Sequence, residues 1–390
     1  MSNKQLTILG VIAAVTLILA TVQSYIAHRP VATPTGPTYL IQGLEPEMIE
    51  RIELGGGDNP VLLERQDRQF VVTNKDSYPA QNQEINDLVT KCLDVQATEL
   101  ITKSAENHPD LEVTEDKARY EVKFQRRREG GSGWELLAGV VVGKSPEQGG
   151  GSYVRLVNSD EVYLADDIGW LKMSALDYID KKLTEVKKDD IVQVTVNGPE
   201  GNYTIIKDPT GKAYLPDIPE GKKARENQVE QTFTALTNLN FSNVQAQSLA
   251  AKDLDFNITY LCALQDSVVY TCKLASKDNK YYVTCSAAFT DQTPIQKKQE
   301  VESQEELKKK EAKLLARDAA EAFAQKHQGW VYELDGWQGD KLTRKLSDLL
   351  EDVQEKDQQT KEEDQPAESS DSASAAPPKT AESASDNPDE

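Results

Sequence analysis

The stretches IERIEL (residues 49–54) and IVQVTV (residues 191–196) place apolar side chains at the same three positions. In both, the last two apolar positions alternate with polar ones, which is typical of a strand with one buried face. A turn rich in Gly and Asn follows each stretch, and further alternating runs follow the turn. The predicted strands cover residues 49–54, 61–65 and 70–73 in the first copy, and 191–196, 203–207 and 213–215 in the second. The sequence therefore predicts the same small antiparallel meander twice.

A helix is predicted after each meander, because apolar residues recur at the i, i+4 and i+7 spacing of one buried face. The matching residues are Ile85, Val89 and Cys92 in the first copy and Val229, Phe233 and Leu236 in the second. The tripeptide Val-Gln-Ala follows both, at residues 95–97 and 244–246, and is predicted to end both helices.

Strands and a closing helix complete each copy. Alternating apolar residues continue in strand pairs, and the pattern Val-Tyr-x-x-Asp then leads into an amphipathic helix at residues 162–166 and 331–335. The residues concerned are Tyr120, Val122, Phe124, Leu171, Leu176 and Ile179 in the first copy, and Phe256, Ile258, Tyr260, Leu342, Leu346, Leu349 and Leu350 in the second. The common order predicts an α+β fold of two tandem repeats, residues 39–184 and 185–353, each a mainly antiparallel sheet-plus-helix module.

One insertion breaks the symmetry between the copies. The first copy joins its closing strands by a turn at residues 158–161, whereas the second has about forty residues there, with a helical insertion near residues 302–328. The composition of Gln304–His327 favours a helix, with neither Gly nor Pro before its end. Its apolar residues form a narrow stripe: Leu307, Leu314, Leu315, Ala322 and Phe323. The stripe fits either a docking element for a partner or a helix packed on its own body.

The N-terminus is predicted to anchor the chain in a membrane. Residues 6–27 carry no charged side chain, and as a helix they span about 33 Å, enough for a hydrocarbon core of about 30 Å. Residues 1–29 are accordingly assigned to a cytoplasmic N-terminus with a single-pass anchor, and residues 30–38 to a stiff linker rich in Pro. A cleaved signal peptide is the alternative, and both interpretations export the body.

Charge excludes one class of partner. The net charge is −21, and residues 354–390 contribute −8 of it through eleven acidic and three basic residues, which leaves −13 for the rest. A nucleic-acid-binding surface needs clustered Lys and Arg, so no nucleic-acid partner is expected. Residues 354–390 contain no aromatic residue and are predicted to form a disordered acidic tail.

The four cysteines, Cys92, Cys262, Cys272 and Cys285, have neither C-x-x-C spacing nor a nearby His pair, so no metal site is predicted. Period-2 alternation places Cys262, Cys272 and Cys285 on apolar strand faces. If Asp278-Asn279 is a two-residue turn, Cys272 lies opposite Cys285. The pair then forms either a cross-strand disulfide or two small buried hydrophobic side chains.

Signals for catalysis are weak. None of His28, His108 and His327 accompanies a nucleophile motif, and the run Gly139–Ser145 has one residue too few for a phosphate-binding loop and matches a strand. The acid pairs Asp166-Asp167 and Asp189-Asp190 match turns and helix starts. No catalytic, cofactor-binding or metal-binding residue is predicted, and no cofactor.

Three further segments carry a resemblance to a known family. They are GLEPEMIERIEL (residues 43–54) with Tyr78-Pro79-Ala80, KCLDVQATELITKSAENHPDLEV (residues 91–113) and GGSYVRLVNSDEVYLAD (residues 150–166). With the N-terminal anchor, they resemble a bacterial domain-of-unknown-function family of membrane-anchored, internally duplicated proteins encoded beside gliding-motility-type ABC transporters. The resemblance covers residues 40–183 well and 184–350 weakly, and the charged insertion and acidic tail depart from it.

This resemblance implies a non-enzymatic accessory or scaffold protein of an ABC-type transport system, on the cytoplasmic (inner) membrane with its body in the periplasm. Partners would be membrane proteins of the transporter complex, contacted through Gln304–His327. A different class stays open: a stand-alone cell-envelope enzyme, such as a carboxylate-dependent hydrolase, or a ligand-binding module. A concave pocket holding two carboxylates in distinct environments would favour the enzyme.

Overall fold

A computed structural model describes residues 38–56, 59–166, 168–250, 253–294 and 303–353. The predicted anchor, most of the linker and the acidic tail lie outside these residues. Within the described ranges, no helix has the length and apolar character needed to cross a membrane.

The first sheet is built from the first ten strands of the described chain, and all its pairings are antiparallel. The strands are β1 (Thr38–Tyr39), β2 (Arg51–Leu54), β3 (Val61–Gln66), β4 (Gln69–Val72), β5 (Tyr78–Pro79), β6 (Gln96–Thr102), β7 (Tyr120–Arg127), β8 (Trp134–Val142), β9 (Ser152–Leu156) and β10 (Val162–Ala165). Their spatial order is β1-β6-β10-β9-β8-β7-β2-β3-β4-β5.

The second sheet has eight strands and is also antiparallel throughout. The remaining strands of the described chain are β11 (Lys182–Thr184), β12 (Ile191–Gly198), β13 (Gly201–Lys207), β14 (Ala213–Tyr214), β15 (Lys222–Ala224), β16 (Leu239–Asn240), β17 (Asn243–Ala246), β18 (Ile258–Leu264), β19 (Val268–Lys277), β20 (Lys280–Phe289), β21 (Trp330–Leu334) and β22 (Leu350–Asp352). The second sheet runs β14-β13-β12-β18-β19-β20-β21-β17, while β11 pairs with β16 and β15 with β22.

Six α-helices accompany the sheets in the described residues. They are α1 (Asn82–Leu93), α2 (His108–Leu111), α3 (Glu226–Phe233), α4 (Gln247–Ala250), α5 (Gln304–His327) and α6 (Gly336–Thr343). The predicted apolar faces are buried: Ile85, Val89 and Cys92 on α1, and Val229 and Phe233 on α3. The fold is thus mainly antiparallel sheet with a few helices, as the α+β prediction required.

The two sheets have the same strand order. Read from β6, the first sheet runs β6-β10-β9-β8-β7-β2-β3-β4, and the second runs β17-β21-β20-β19-β18-β12-β13-β14. The register of each hexapeptide with the next strand agrees as well, since Ile52 lies opposite Leu63 and Val194 lies opposite Ile205. On its other side Ile52 lies opposite Phe124 and Val194 opposite Cys262. Phe124 therefore corresponds to Cys262, and the predicted match of Phe124 with Tyr260 was wrong by two residues.

Two local predictions were wrong. The Val-Gln-Ala tripeptides do not end helices: most of each lies in a strand, β6 or β17. The closing helices are shorter than predicted. The first copy has only a 3-10 turn at Ala175–Tyr178, although Leu171 and Ile179 beside it are buried. In the second copy α6 ends at Thr343, so Leu346 and Leu349 lie in a 3-10 turn and Leu350 lies in β22. Short apolar patterns report which face is buried more reliably than they report the backbone conformation.

The cysteine register agrees with the sequence. Cys272 lies opposite Cys285 in the β19–β20 hairpin, and Asp278 and Asn279 form its turn with φ of 52° and 61°. Such left-handed dihedrals match the right-handed twist of the flanking strands. The two Sγ atoms are 3.4 Å apart, and both thiols are free and buried.

The outer edges of the two sheets differ. On β17, Asn243 accepts a hydrogen bond from Lys75 of the first sheet (2.8 Å), and the Ala246 N–H donates to Asp76 (2.8 Å). The corresponding strand β6 pairs on its outer side only with the two-residue β1. Its pairing with β10 on the inner side contains two register shifts.

Aromatic side chains hold the two sheets together. The Tyr78 ring lies edge-on to that of Trp330 at 4.7 Å, and Phe241 packs on Tyr332 at 4.8 Å. Edge-on and tilted aromatic pairs of this kind are favourable beyond their buried area. One hydrophobic core runs through both sheets at this junction.

Candidate docking surface

Helix α5 is the insertion that distinguishes the second sheet from the first. Its N-terminus is capped by Ser303, whose Oγ accepts from the Glu306 N–H (3.3 Å), while the Glu306 carboxylate accepts from the Ser303 N–H (3.1 Å). This capping box satisfies two N–H groups that the first helical turn leaves without a backbone partner. The predicted bounds, Gln304–His327, are those of the helix.

The C-terminal half of α5 packs on the second sheet. Ala316 and Ala320 are buried against Val268 and Ala287, and the Phe323 ring lies edge-on to Tyr270 at 4.9 Å. Small residues at the contact let the helix approach the sheet closely. This part of the helix is therefore integral to the body.

The N-terminal half of α5 presents leucines to solvent. Leu307 is 52% exposed and Leu315 is 62% exposed, while Leu314 also stays largely outside the core. The face that packs on the body consists of Ala316, Ala320 and His327, with the partly buried Phe323. Of the predicted apolar stripe only Phe323 lies on this face, whereas Leu307, Leu314, Leu315 and Ala322 are exposed. The helix combines a fixed C-terminal half with an apolar surface on its other half.

An ion pair ties the middle of α5 to the end of β20. Lys313 Nζ lies 2.7 Å from the Asp291 carboxylate and donates to the Thr293 carbonyl oxygen at 2.6 Å. Hydrogen bonds from Lys313 and from Thr293 hold the pKa of Asp291 below its usual range. This contact sets where the exposed leucines lie relative to the sheet.

The buried His327 ends the helix at the junction between the sheets. Its Nδ1 lies 2.7 Å from the Tyr332 hydroxyl, and burial lowers the pKa of His327 to about 4. The Tyr332 hydroxyl lies 3.5 Å from that of Tyr78 in the first sheet, and burial raises the pKa of Tyr332. Lys326 lies 3.5 Å from Asp180, which follows the first sheet. These side chains extend the contact of α5 to both halves of the body.

Sequence reasoning missed the role of His327, which it read only as the end of a charged helix. The signal was present, because His327 continues the i, i+4, i+7, i+11 spacing that begins at Ala316. Alanines are weak markers of a buried face, whereas the nearby leucines are strong ones, and the leucines here point outward.

Gly139, Asp190 and His108, which the sequence analysis considered for chemistry, have structural roles. Gly139 lies in β8, where a Cβ would come within 2.6 Å of the Val157 side chain, so the glycine-rich run packs as a strand. Asp190 ends a 3-10 turn and accepts from Gln265 at 2.6 Å, and the buried His108 contacts the Asp160 carbonyl oxygen at 3.0 Å. Asp166 follows β10, whereas Asp167 and His28 lie outside the described residues.

One buried acid was not found from sequence. Glu121 is 2% exposed on the face of β7 opposite the main core, and its carboxylate lies 3.2 Å from Lys123 Nζ. Burial raises the pKa of Glu121, and Lys123 opposes that rise. Glu53 and Glu115 also face Lys123, at 3.5 and 3.9 Å. The Lys123 ammonium group therefore lies between three carboxylates and neutralises part of their negative charge.

No set of three or more His, Cys, Asp or Glu side chains within the described ranges is arranged to hold a metal ion. Burial raises the pKa of the Cys92 and Cys262 thiols to about 12. Neutral, buried thiols are poor nucleophiles and poor metal ligands.

Comparison with known proteins gives one match. A family described as a domain of unknown function (DUF4340) matches residues 71–256. The match begins in β4 of the first sheet and ends before β18 of the second, so it crosses the predicted boundary between the two copies. Neither the curated proteins nor the solved structures provide a match to the chain.

Proposed function

We propose that this protein is a non-enzymatic accessory or scaffold protein of an ABC-type transport system. In this proposal residues 1–29 anchor it in the inner membrane, the body lies in the periplasm, and α5 docks on a membrane protein of the complex. The domain of unknown function at residues 71–256 is compatible with this assignment and names no reaction.

The exposed leucines of α5 are the observation that carries the proposal. Leu307, Leu314 and Leu315 place apolar surface on one stretch of a helix whose far half is held by Phe323, His327 and their contacts. An amphipathic helix held this way presents side chains to a groove on a partner at little further cost in ordering.

The strand order supports a further part of the proposal, that the two sheets arose as tandem copies of one module. A shared order of eight strands with a shared register is an improbable coincidence for unrelated sheets. A duplicated body with an insertion in one copy suits an interaction protein, because one copy keeps the scaffold while the other gains a binding element.

Affinity purification of the full chain from gently solubilised membranes tests the proposal. At native expression, the wild-type protein should bring down permease or ATPase subunits. The double variant Leu307→Gln, Leu315→Gln should lose most of this recovery, because it removes the apolar contact while leaving the buried stripe intact.

A matched control is available on α4, where Leu249 is 68% exposed and far along the chain from α5. Leu249→Gln makes the same chemical change on a different helix and should leave recovery unchanged. Isolation of the wild-type protein alone, in several detergents, contradicts the proposal.

A further inference from the structure

A pocket opens at one end of the second sheet. Its cavity volume is about 120 Å³, and it lies between the β12–β13 turn and the segment that follows α6. Its apolar lining comes from Val196, Ile258 and Leu346, while Glu200, Arg344 and Lys345 contribute polar groups. An apolar cavity of roughly 150 Å³ binds benzene, so this pocket has space for about one aromatic ring.

The polar groups of the lining are already paired with the protein itself. Lys345 Nζ lies 2.5 Å from Glu200, and Arg344 donates to the Gln228 carbonyl oxygen (2.9 Å) and to the Gln231 side chain (2.7 Å). A charged ligand would have to compete with these bonds. What the pocket offers without such competition is its apolar surface.

The corresponding position in the first sheet indicates which side chain fits the pocket. In the second sheet Tyr260 lies opposite Val196, and Ile258 begins β18 two residues earlier. In the first sheet Val122 lies opposite Leu54, and Tyr120 begins β7 two residues earlier. Tyr120 is therefore the counterpart of Ile258, because Leu54 and Val196 occupy matching positions in the repeated hexapeptides.

Met173 follows the buried Leu171 by two residues and reaches the same end of the first sheet. Met173 Cε lies 3.6 Å from the position that a Cβ on Gly55 would take, and so packs at this end of the first sheet.

The aromatic ring in the first sheet is buried. Tyr120 is 3% exposed and lies edge-on to Trp170, with ring centres 6.3 Å apart. In the second sheet the shorter Ile258 stands at this position, and Arg344 extends toward α3. The first sheet thus supplies an aromatic side chain of its own where the second sheet leaves a pocket.

We propose that this pocket binds an aromatic side chain of tyrosine size, carried by a partner polypeptide. The ring would rest on Val196, Ile258 and Leu346, in the place that Tyr120 takes in the first sheet. Burial of an aromatic ring in a concave apolar site is a common anchor of protein–protein contacts. The site is separate from α5 and does not depend on the partner being a transporter subunit.

Methyl NMR of the full-length protein in detergent, labelled at isoleucine and methionine methyl groups, tests this with N-acetyl-tyrosine amide as the probe. The Ile258 methyl signal should shift and saturate with this probe. N-acetyl-alanine amide, which lacks the ring, should leave the signal in place. Absence of any Ile258 shift with the tyrosine probe overturns the proposal, and so does an equal shift with both probes.

Filling the pocket provides the second arm. Ile258→Tyr introduces the residue found in the first sheet and should raise the Kd for N-acetyl-tyrosine amide at least tenfold. Because this variant has no Ile258 methyl signal, the titration is followed at another isoleucine signal, such as that of Ile205. Ile258→Phe fills the same space without the hydroxyl and serves if the tyrosine variant does not fold. Unchanged affinity in a folded variant overturns the proposal.

Two further measurements separate the sources of the ring and test the comparison of the sheets. If p-cresol shifts the Ile258 methyl signal and N-acetyl-tyrosine amide does not, the site takes free small aromatics and the polypeptide-borne ring is excluded.

Tyr120→Ile should open a pocket in the first sheet, so that the tyrosine probe also shifts the Met173 methyl signal. A folded Tyr120→Ile variant with no Met173 response contradicts the assigned equivalence.

Discussion

The first sheet connects β9 to β10 through residues 157–161, whereas the second sheet makes the same connection through residues 290–329, which include α5. The first sheet places Tyr120 at one end of its core, and the second has Ile258 beside a pocket. Eight strands have the same order in both sheets, and these two differences lie in one connection and at one sheet end. A shared framework with changes at its connections is the usual way in which a scaffold acquires a binding surface.

The strongest test of this comparison converts the second sheet into the form of the first. Residues 290–329 are replaced by the turn at residues 157–161. The free energy of unfolding should fall by about 3–6 kcal/mol, because Ala316, Ala320 and Phe323 no longer cover Val268 and Ala287. Urea unfolding followed by circular dichroism measures the change.

The outcome also bears on docking. If the shortened protein unfolds without cooperativity, α5 is required for the core and its role cannot be separated from folding. If it stays folded and loses its membrane partners, docking through α5 is supported. An unchanged unfolding midpoint would falsify the packing described for Ala316 and Ala320.

A smaller effect is expected from pH, through His327 at the junction of the sheets. Its pKa is about 4 when folded and 6.5 in its ordinary state, so the unfolded chain binds more protons between these values. The contribution of neutral His327 to the free energy of unfolding is therefore complete above pH 6.5 and is lost as the pH falls towards 4. The expected loss is about 1–3 kcal/mol.

His327→Gln isolates this contribution, because glutamine keeps a polar side chain but does not titrate. Tyr332, Tyr78, Asp180 and Lys326 face the imidazole and remain in both proteins. Urea unfolding at pH 8, 6 and 5 should show the wild-type stability falling more steeply than that of the variant. Parallel curves contradict the assignment.

The smallest effect is expected from removing residues 354–390, which lie outside the described residues. Truncation after Val353 removes the acidic residues 354–390 and keeps β22, whose pairing with β15 ends at Asp352. The thermal midpoint should change by less than about 1 °C, because a segment with this composition makes few native contacts. Differential scanning calorimetry checks this, and a shift of several degrees shows that the tail packs on the body.

Much of the framework could be predicted from sequence because strand alternation is a local property. The hexapeptides, the Asp278-Asn279 turn and the opposition of Cys272 and Cys285 all depend on neighbouring residues and a period of two. The bounds of α5 were predictable for the same reason, since composition and the Ser303 cap are local signals.

The candidate site was less predictable, because it depends on contacts distant in sequence. The spacing from Ala316 to His327 marks one helix face, but it does not decide whether the alanines or the leucines turn inward. That choice depends on the shape of β19 and β20. The burial of His327 and Glu121 likewise depends on partners brought by the fold, Tyr332 and Lys123. The equivalence of Ile258 with Tyr120 emerges only when the two sheets are compared position by position.

The irregular pairing of β6 with β10 has a consequence for solubility. A regular edge strand is a template on which another chain can add its own strand, and edge-to-edge addition leads to aggregation. The outer side of β17 is occupied by Lys75 and Asp76, but β6 beyond Ala97 has no strand on its outer side among the described residues. Two register shifts bend β6 out of a regular ladder, and bulged edges accept foreign strands poorly. The bulges therefore protect the exposed edge strand against self-association, although β6 carries the apolar side chains of Leu100 and Ile101 at the surface.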